Sequence, residues 1–247
     1  MTALRILHLY PRELGINGDV GNVTALVERA RWRGIETEVV THEAGVRLPD
    51  DIDIVHIGSG PLSSQRVVLE DVQRIAPALR AWRDGGVPVL AIAGGWQLLG
   101  SELVTSDGER LAGAGVFPTR ATLGAERHVG EIVVRTSEGT LAGFENHSAT
   151  TVLEGAEPLG TVISGFGNEA SSSERYEGVR IAAAIGTHLH GPVLPMNPSL
   201  ADRMLGSALA LRGTSEPLAT TSELEHVDRF AANARRAIAD RLGVKLG

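Results

Sequence analysis

The stretch "VPVLAIAGGWQLLG", residues 87–100, decides the fold. Its first half is a short apolar run closed by Gly94 and Gly95, which reads as a buried strand. Trp96-Gln97-Leu98-Leu99 then opens a helix. A strand that turns this abruptly into a helix has the shape of a nucleophile elbow. The tip residue is forced out at the sheet edge, and the first amides of the helix point at the reaction centre. Here the tip is Ala93, and the chain contains no cysteine. The plainer reading of two glycines at a strand end is an ordinary strand-to-helix turn, so the surroundings must decide.

Upstream, "LRILHLY" (4–10) reads as a first buried strand, followed by the Pro/Gly/Asn-rich loop "PRELGINGDVGN" (11–22). "VTALVERARWRG" (23–34) has helical spacing with Gly34 as its stop. "ETEVVTH" gives a second strand and "DIVHIGSG" a third that ends in glycines. "SSQRVVLEDVQRIAPALRAWRDGG" is helical, with a break expected near Pro77. Strands alternating with helices predict right-handed crossovers and an α/β fold with a mainly parallel, doubly wound sheet. Ligands bind beyond the carboxyl ends of such strands. The loops at 11–22, 58–65 and 93–97 are therefore expected to meet around one crevice.

From about residue 110, short strand-like runs alternate with glycine and polar turns, which predicts an antiparallel extension of the same domain. Two helices, over about residues 199–245, close the chain, and the second is strongly amphipathic. With no repeat, low-complexity tract or linker, a single domain over 1–247 is expected.

The charge balance is −7, which argues against a dedicated nucleic-acid binder, whose footprint would be basic. The lack of cysteine excludes disulfides and cysteine metal sites within the chain. No apolar run approaches the roughly 20 residues that span a bilayer, and the apolar part of the opening "MTALRILHLYP" is too short for a signal peptide. A cytoplasmic location follows as the expectation.

"IGTHLHGP" (185–192) brings a candidate base. On an extended segment His188 and His190 point to one face, and either is suited to proton transfer; a packed histidine is the bland alternative. Asp19 and Asn22 are read as ordering the first loop through side-chain turns.

Together these motifs resemble the class I glutamine amidotransferases, in particular their cobyric-acid-synthase-like (CobB/CobQ-like) branch, and imply a flavodoxin-like fold. The branch elbow, Cys-Gly-Gly-aromatic-Gln-Leu-Leu-Gly, matches "AIAGGWQLLG" except at Ala93. Its late motif, Gly-Thr-aromatic-Leu-His-Gly-Pro, matches "GTHLHGP", with His188 in the aromatic position. Within the branch, "HLYPRELGINGDVGN", "GSGPLSSQ", "GFENHSATT" and "GTHLHGPVLPMNPSLAD" are most similar to the stand-alone GatD subunits of lipid II isoglutaminyl synthase. That likeness spans about residues 4–205. The chain also shows no fused synthetase part of the kind carried by the vitamin-forming relatives.

The resemblance implies specific roles. Position 93 is that of the nucleophilic cysteine, so Ala93 predicts a chain unable to form the acyl-enzyme, through engineering or natural loss. His190 is the catalytic histidine. Gly60 and Gly94 supply the oxyanion hole, Gln97 helps hold the substrate L-glutamine, and Arg127 pairs with its α-carboxylate. Asn146 and His147 line the pocket, although the family follows them with glycine-arginine where this chain has Ser148-Ala149. Many class I enzymes carry a glutamate two residues after the histidine, where this chain has Pro192. In the lipid II enzyme the implied carboxylate comes instead from the partner, a Mur-ligase-like subunit (MurT).

The resemblance further implies a heterodimer at the inner face of the membrane. The partner binds ATP and Mg²⁺ and amidates the D-isoglutamate α-carboxylate of lipid II, while this chain holds no cofactor and no metal. The amphipathic last helix either docks that partner or packs internally. Two alternatives stand beside this reading: a subunit serving another acceptor, such as a corrin-type acid, and a non-catalytic glutamine-binding or scaffold subunit.

Overall fold

In the computed structural model, residues 3–169, 173–214 and 216–246 are described. The first half of the chain alternates as expected: β1 (Leu4–Leu9), a 3-10 turn (Ile16–Gly18), α1 (Val20–Arg31), β2 (Thr37–His42), β3 (Ile54–Ile57), α2 (Leu62–Asp84), β4 (Val89–Ile92) and α3 (Gly94–Leu99). Strand β1 lies inside the sheet, between β3 and the edge strand β2, and both its faces carry apolar residues. Leu4 and Ile6 join a core shared with α1 and the C-terminal helices, while Leu7 and Leu9 join a second core beneath α2. Strands buried on both sides read as near-continuous apolar runs, which is the pattern of parallel sheets. Helix α2 runs unbroken through Pro77, against the expected break. Its buried stripe, Val68, Val72, Ile75, Ala76 and Leu79, continues on either side of the proline and holds both halves to the sheet.

The second half begins with β5 (Glu102–Val104), β6 (Arg110–Ala112), β7 (Thr119–Thr136), β8 (Gly139–Leu153), β9 (Gly160–Ser164), β10 (Tyr176–Glu177), β11 (Val179–Ile181) and β12 (Ala184–Thr187). Strand β12 joins the first sheet beside β4, and its order is β11-β12-β4-β3-β1-β2, parallel throughout except for the β11 hairpin edge. The remaining strands form a second sheet in the order β10-β9-β7-β5-β6, with β8 paired along β7. The expected antiparallel extension is thus a separate sheet, and its β5–β7 pairing is parallel. The runs expected as separate strands around residues 115–136 are one long strand, β7, whose register against β8 shifts between Leu123 and His128. Such a bulge throws its extra residues out of the ladder, and Arg127 is among them.

The chain closes with α4 (Val193–Met196), α5 (Pro198–Leu211) and α6 (Ser222–Leu242). Helix α6 starts on Thr221, whose side chain accepts from the Leu224 amide, and ends at left-handed Gly243. Its buried Ile238 packs on Val133 and Ala142 of the second sheet, so part of the apolar face is used internally. Buried Arg29 of α1 ties these helices together. It pairs with Asp202 of α5 at 2.7 Å and Asp228 of α6 at 2.6 Å.

Candidate active site

Ala93 follows β4 with φ 39° and ψ −101°, a conformation costly for any residue bearing a Cβ. Bonds on both sides hold it there: its amide donates to the Thr187 carbonyl at 2.8 Å, and its own carbonyl accepts from Gln97 at 2.8 Å. The glycines that follow are dictated by space. A Cβ on Gly94 would lie 2.7 Å from the Gly60 carbonyl oxygen, and one on Gly95 would lie 2.4 Å from that of Gly58. The elbow and the loop after β3 therefore meet backbone to backbone.

A cavity of about 220 Å³ opens over this tip. Ile16 and Asn17 line it from the first loop, Ser59, Gly60 and Gln65 from the loop and helix after β3, and Ala93, Gly94 and Gln97 from the elbow. The three loops expected to converge do so. The second sheet closes the other side with Leu123, Arg127, Asn146, His147 and Ser148. Seven of the eight residues singled out in the sequence thus share one wall-to-wall space, with His190 in the adjoining groove beside Asn17 and Asn146.

The polar groups in the cavity are arranged rather than scattered. Among the described residues, the Gly94 amide reaches Ser59 Oγ at 3.4 Å, a bond weak enough to be exchanged for a better acceptor. Gln65 Nε2 donates to the Gly60 carbonyl at 3.1 Å and to Gln97 Oε1 at 3.0 Å, which fixes Gln97 against the elbow. Arg127 is exposed, yet its Nε donates to Asn146 Oδ1 at 2.6 Å, so the guanidinium leans over the cavity instead of into solvent.

The two histidines of the late motif have different surroundings. His188 stacks on His147, with ring centroids 3.9 Å apart and planes 9° from parallel, and also lies against Trp96. Burial, then the neighbouring His147, push its pKa well below the ordinary value, so it stays neutral. His190 is held by paired backbone bonds to Phe144 of β8. Its Nδ1 lies 3.3 Å from Asp19 Oδ1, and its buried Nε2 has no hydrogen-bond partner among the described residues. Asp19 is wholly buried, and its other oxygen accepts the Ser59 amide at 2.8 Å. Asn22 makes no side-chain turn of the kind expected: it lies inside α1, where its Oδ1 accepts from the Leu194 amide at 2.9 Å and its Nδ2 lies 3.3 Å from His56 Nε2.

Beneath the His190 segment lies Glu177. Burial pushes its carboxyl up to about 7, against the lowering effect of bonds from the Thr187 hydroxyl and the His188 amide. Asp19, Ser59 and Gln65 were not assigned to the site by sequence reasoning. All three stood inside quoted motifs, but nothing local distinguished Asp19 from a turn residue. Among the described residues, no group of three or more metal-ligating side chains is placed to hold an ion, and no helix is long and apolar enough to cross a membrane.

The doubly wound parallel sheet with its strained strand-to-helix elbow is the fold of the class I glutamine amidotransferases. A solved glutamine amidotransferase superposes with a TM-score of 0.56 at 18% identity, covering 82% of this chain and 98% of its own. The glutaminase domain of Trypanosoma brucei CTPS does so at 0.55 and 14%, covering 84% and 94%. The chain belongs to the CobB/CobQ-like glutamine amidotransferase family, whose domain it matches over residues 5–198. It is 34% identical to the lipid II isoglutaminyl synthase (glutamine-hydrolyzing) subunit GatD of Staphylococcus aureus over 91% of this chain and 93% of that subunit. It is also 34% identical to the corresponding Streptococcus pneumoniae subunit, over 83% and 80%. A cobyric acid synthase of Desulforudis audaxviator is 29% identical over 64% of this chain but only 33% of its own length.

Proposed function

We propose that this chain is the glutaminase subunit of a lipid II isoglutaminyl synthase, acting in peptidoglycan synthesis, in a form whose nucleophile has been replaced by Ala93. The observation that carries the acceptor assignment is extent: the similarity spans nine-tenths of both this chain and the staphylococcal subunit, but a third of a cobyric acid synthase.

The chemistry follows from the site. With a thiol at position 93, its proton passes to Nε2 of His190 and the thiolate attacks the side-chain carbon of L-glutamine. The amides of Gly60 and Gly94 receive the developing oxyanion. Arg127, with Asn146, pairs with the substrate carboxylate, Gln97 steadies the bound substrate, and His147 closes the wall behind it. The carbon–nitrogen bond breaks as His190 returns the proton, releasing ammonia and leaving a thioester. His190 then takes a proton from water, whose oxygen displaces the thiolate to give glutamate. With Ala93 the first bond is not made, and the cavity binds glutamine without turning it over.

Nothing in the described site activates an acceptor carboxylate. That step belongs to a Mur-ligase-like MurT partner holding ATP and Mg²⁺, which would place the heterodimer at the inner face of the membrane. The test is glutamate release from L-glutamine by the Ala93→Cys chain with that ligase, with lipid II amidation read by mass spectrometry. Release by the variant and none by the Ala93 chain is expected. If Ala93→Cys with the ligase releases no glutamate, the glutaminase reading fails in favour of a binding subunit. Release coupled to a different acceptor would refute the lipid II assignment alone.

A further inference from the structure

We propose that Gln65 is a positioning residue whose side-chain amide braces the two backbone segments carrying the oxyanion-binding amides of Gly60 and Gly94. The catalytic meaning of the brace rests on the glutaminase reading, whereas the brace itself is a matter of geometry. Gln65 lies in the first turn of α2, where its backbone amide donates to the Pro61 carbonyl at 3.0 Å, and it is buried. Its Nε2 donates to the Gly60 carbonyl at 3.1 Å and to Gln97 Oε1 at 3.0 Å. Gln97 is in turn fixed to the elbow, because its own amide donates to the Ala93 carbonyl at 2.8 Å. One NH₂ group therefore joins the loop after β3 to the helix after β4.

The direction of this side chain is dictated by its partners. A backbone carbonyl only accepts, so the end facing Gly60 must be the NH₂ group. Oε1 is then left buried and without a partner among the described residues. An unpaired buried oxygen is costly, and the arrangement keeps the donor end in spite of it. The brace also stands where the two segments come closest. The point that a Cβ on Gly94 would occupy is 2.7 Å from the Gly60 oxygen, 2.9 Å from Gln65 Nε2 and 3.0 Å from the Gly60 nitrogen.

The Gly94 amide also touches Ser59 Oγ, at 3.4 Å, but that bond is the one given up when an oxyanion arrives. The Gln65 brace uses neither oxyanion-binding amide, so it persists through the reaction. Behind it, Leu69, Leu98, Leu103 and Leu111 line a small apolar void, where water is poorly placed to replace a lost donor.

Gln65→Glu and Gln65→Met keep the length of the side chain and remove the NH₂ group. In the Ala93→Cys chain with the ligase, each is expected to lower kcat by about 10–10²-fold, the effect of donors displaced from a developing oxyanion. KM for L-glutamine, and its Kd for the Ala93 chain by calorimetry, should change by less than about threefold. Alkylation of the introduced thiol by iodoacetamide builds up no oxyanion, so its rate should stay within about twofold. In the Ala93 chain itself, the two side-chain N–H protons of Gln65 are expected to exchange slowly with solvent in NMR spectra.

An unchanged kcat overturns the proposal. So does a loss of L-glutamine affinity as large as the loss of kcat/KM, which makes Gln65 a substrate-holding residue. Equal slowing of alkylation overturns it too, because the whole elbow is then distorted. Fast exchange of the Gln65 protons refutes the brace directly, and that measurement decides the matter if neither variant folds. If Ala93→Cys is inactive even with the ligase, the glutaminase reading fails, while the exchange still reports whether Gln65 spans the two segments.

Discussion

Glu177→Gln isolates what it costs to bury a carboxyl group beneath the turn that carries His190. Burial pushes this group from an ordinary 4.5 up to about 7. At ~1.4 kcal/mol per pH unit, that difference corresponds to about 3 kcal/mol between the protonation states. Below pH ~4.5 both the folded and unfolded chains hold the proton, and the group is neutral in its effect. As pH rises towards ~7, the unfolded chain releases the proton and the folded chain keeps it, so stability falls with pH across that window. Glutamine resembles the protonated acid, and its oxygen can still accept from the Thr187 hydroxyl and the His188 amide. Urea unfolding of parent and variant between pH ~4 and ~8 should therefore give equal stabilities at the acid end. The variant should be more stable by up to about 3 kcal/mol above pH 7. Titration of His8, His56 and His188, all pushed down by burial, has the opposite slope but cancels in the difference. A constant offset between the two curves at every pH would refute the reasoning.

Two glycine replacements should differ in sign. Gly94→Ala puts a methyl group 2.7 Å from the Gly60 oxygen and should cost about 1–3 kcal/mol in chemical denaturation. Gly206→Ala, inside α5 with no atom within 4 Å of the new carbon, should stabilise by about 0.5–1 kcal/mol. Arg29→Ala unties α1 from α5 and α6. It should cost about 3 kcal/mol by the same measurement, because Asp202 and Asp228 keep partial access to water.

The residues that share the cavity were legible where their signal was local. The elbow is a contiguous string, and strand–helix alternation alone brings the loops after β1, β3 and β4 to one edge. Asp19 was not legible because its meaning depends on His190, 171 positions away. An aspartate in a Gly/Asn-rich loop has the same local signature whether it makes a turn or faces a distant buried histidine. Pro77 misled for a related reason: the helix-breaking preference is local, whereas the buried stripe of α2 that overrides it is a property of the packed sheet. The single long strand β7 was hidden by its own bulge, since the residues thrown from the ladder read as a turn between two strands.

The backbone pairing of Phe144 with His190 makes β8 a lever. Phe144 and His190 exchange two backbone hydrogen bonds, and two residues along the same strand Asn146 stands in the cavity beneath Arg127. A ligand that draws Arg127 away from Asn146 changes the load on β8 within two peptide units of its grip on the histidine. The backbone anchor of His190 and the hydrogen-bond partner of Arg127 thus lie two residues apart on one strand, and the groove that His190 lines runs beside Phe144 and Glu145.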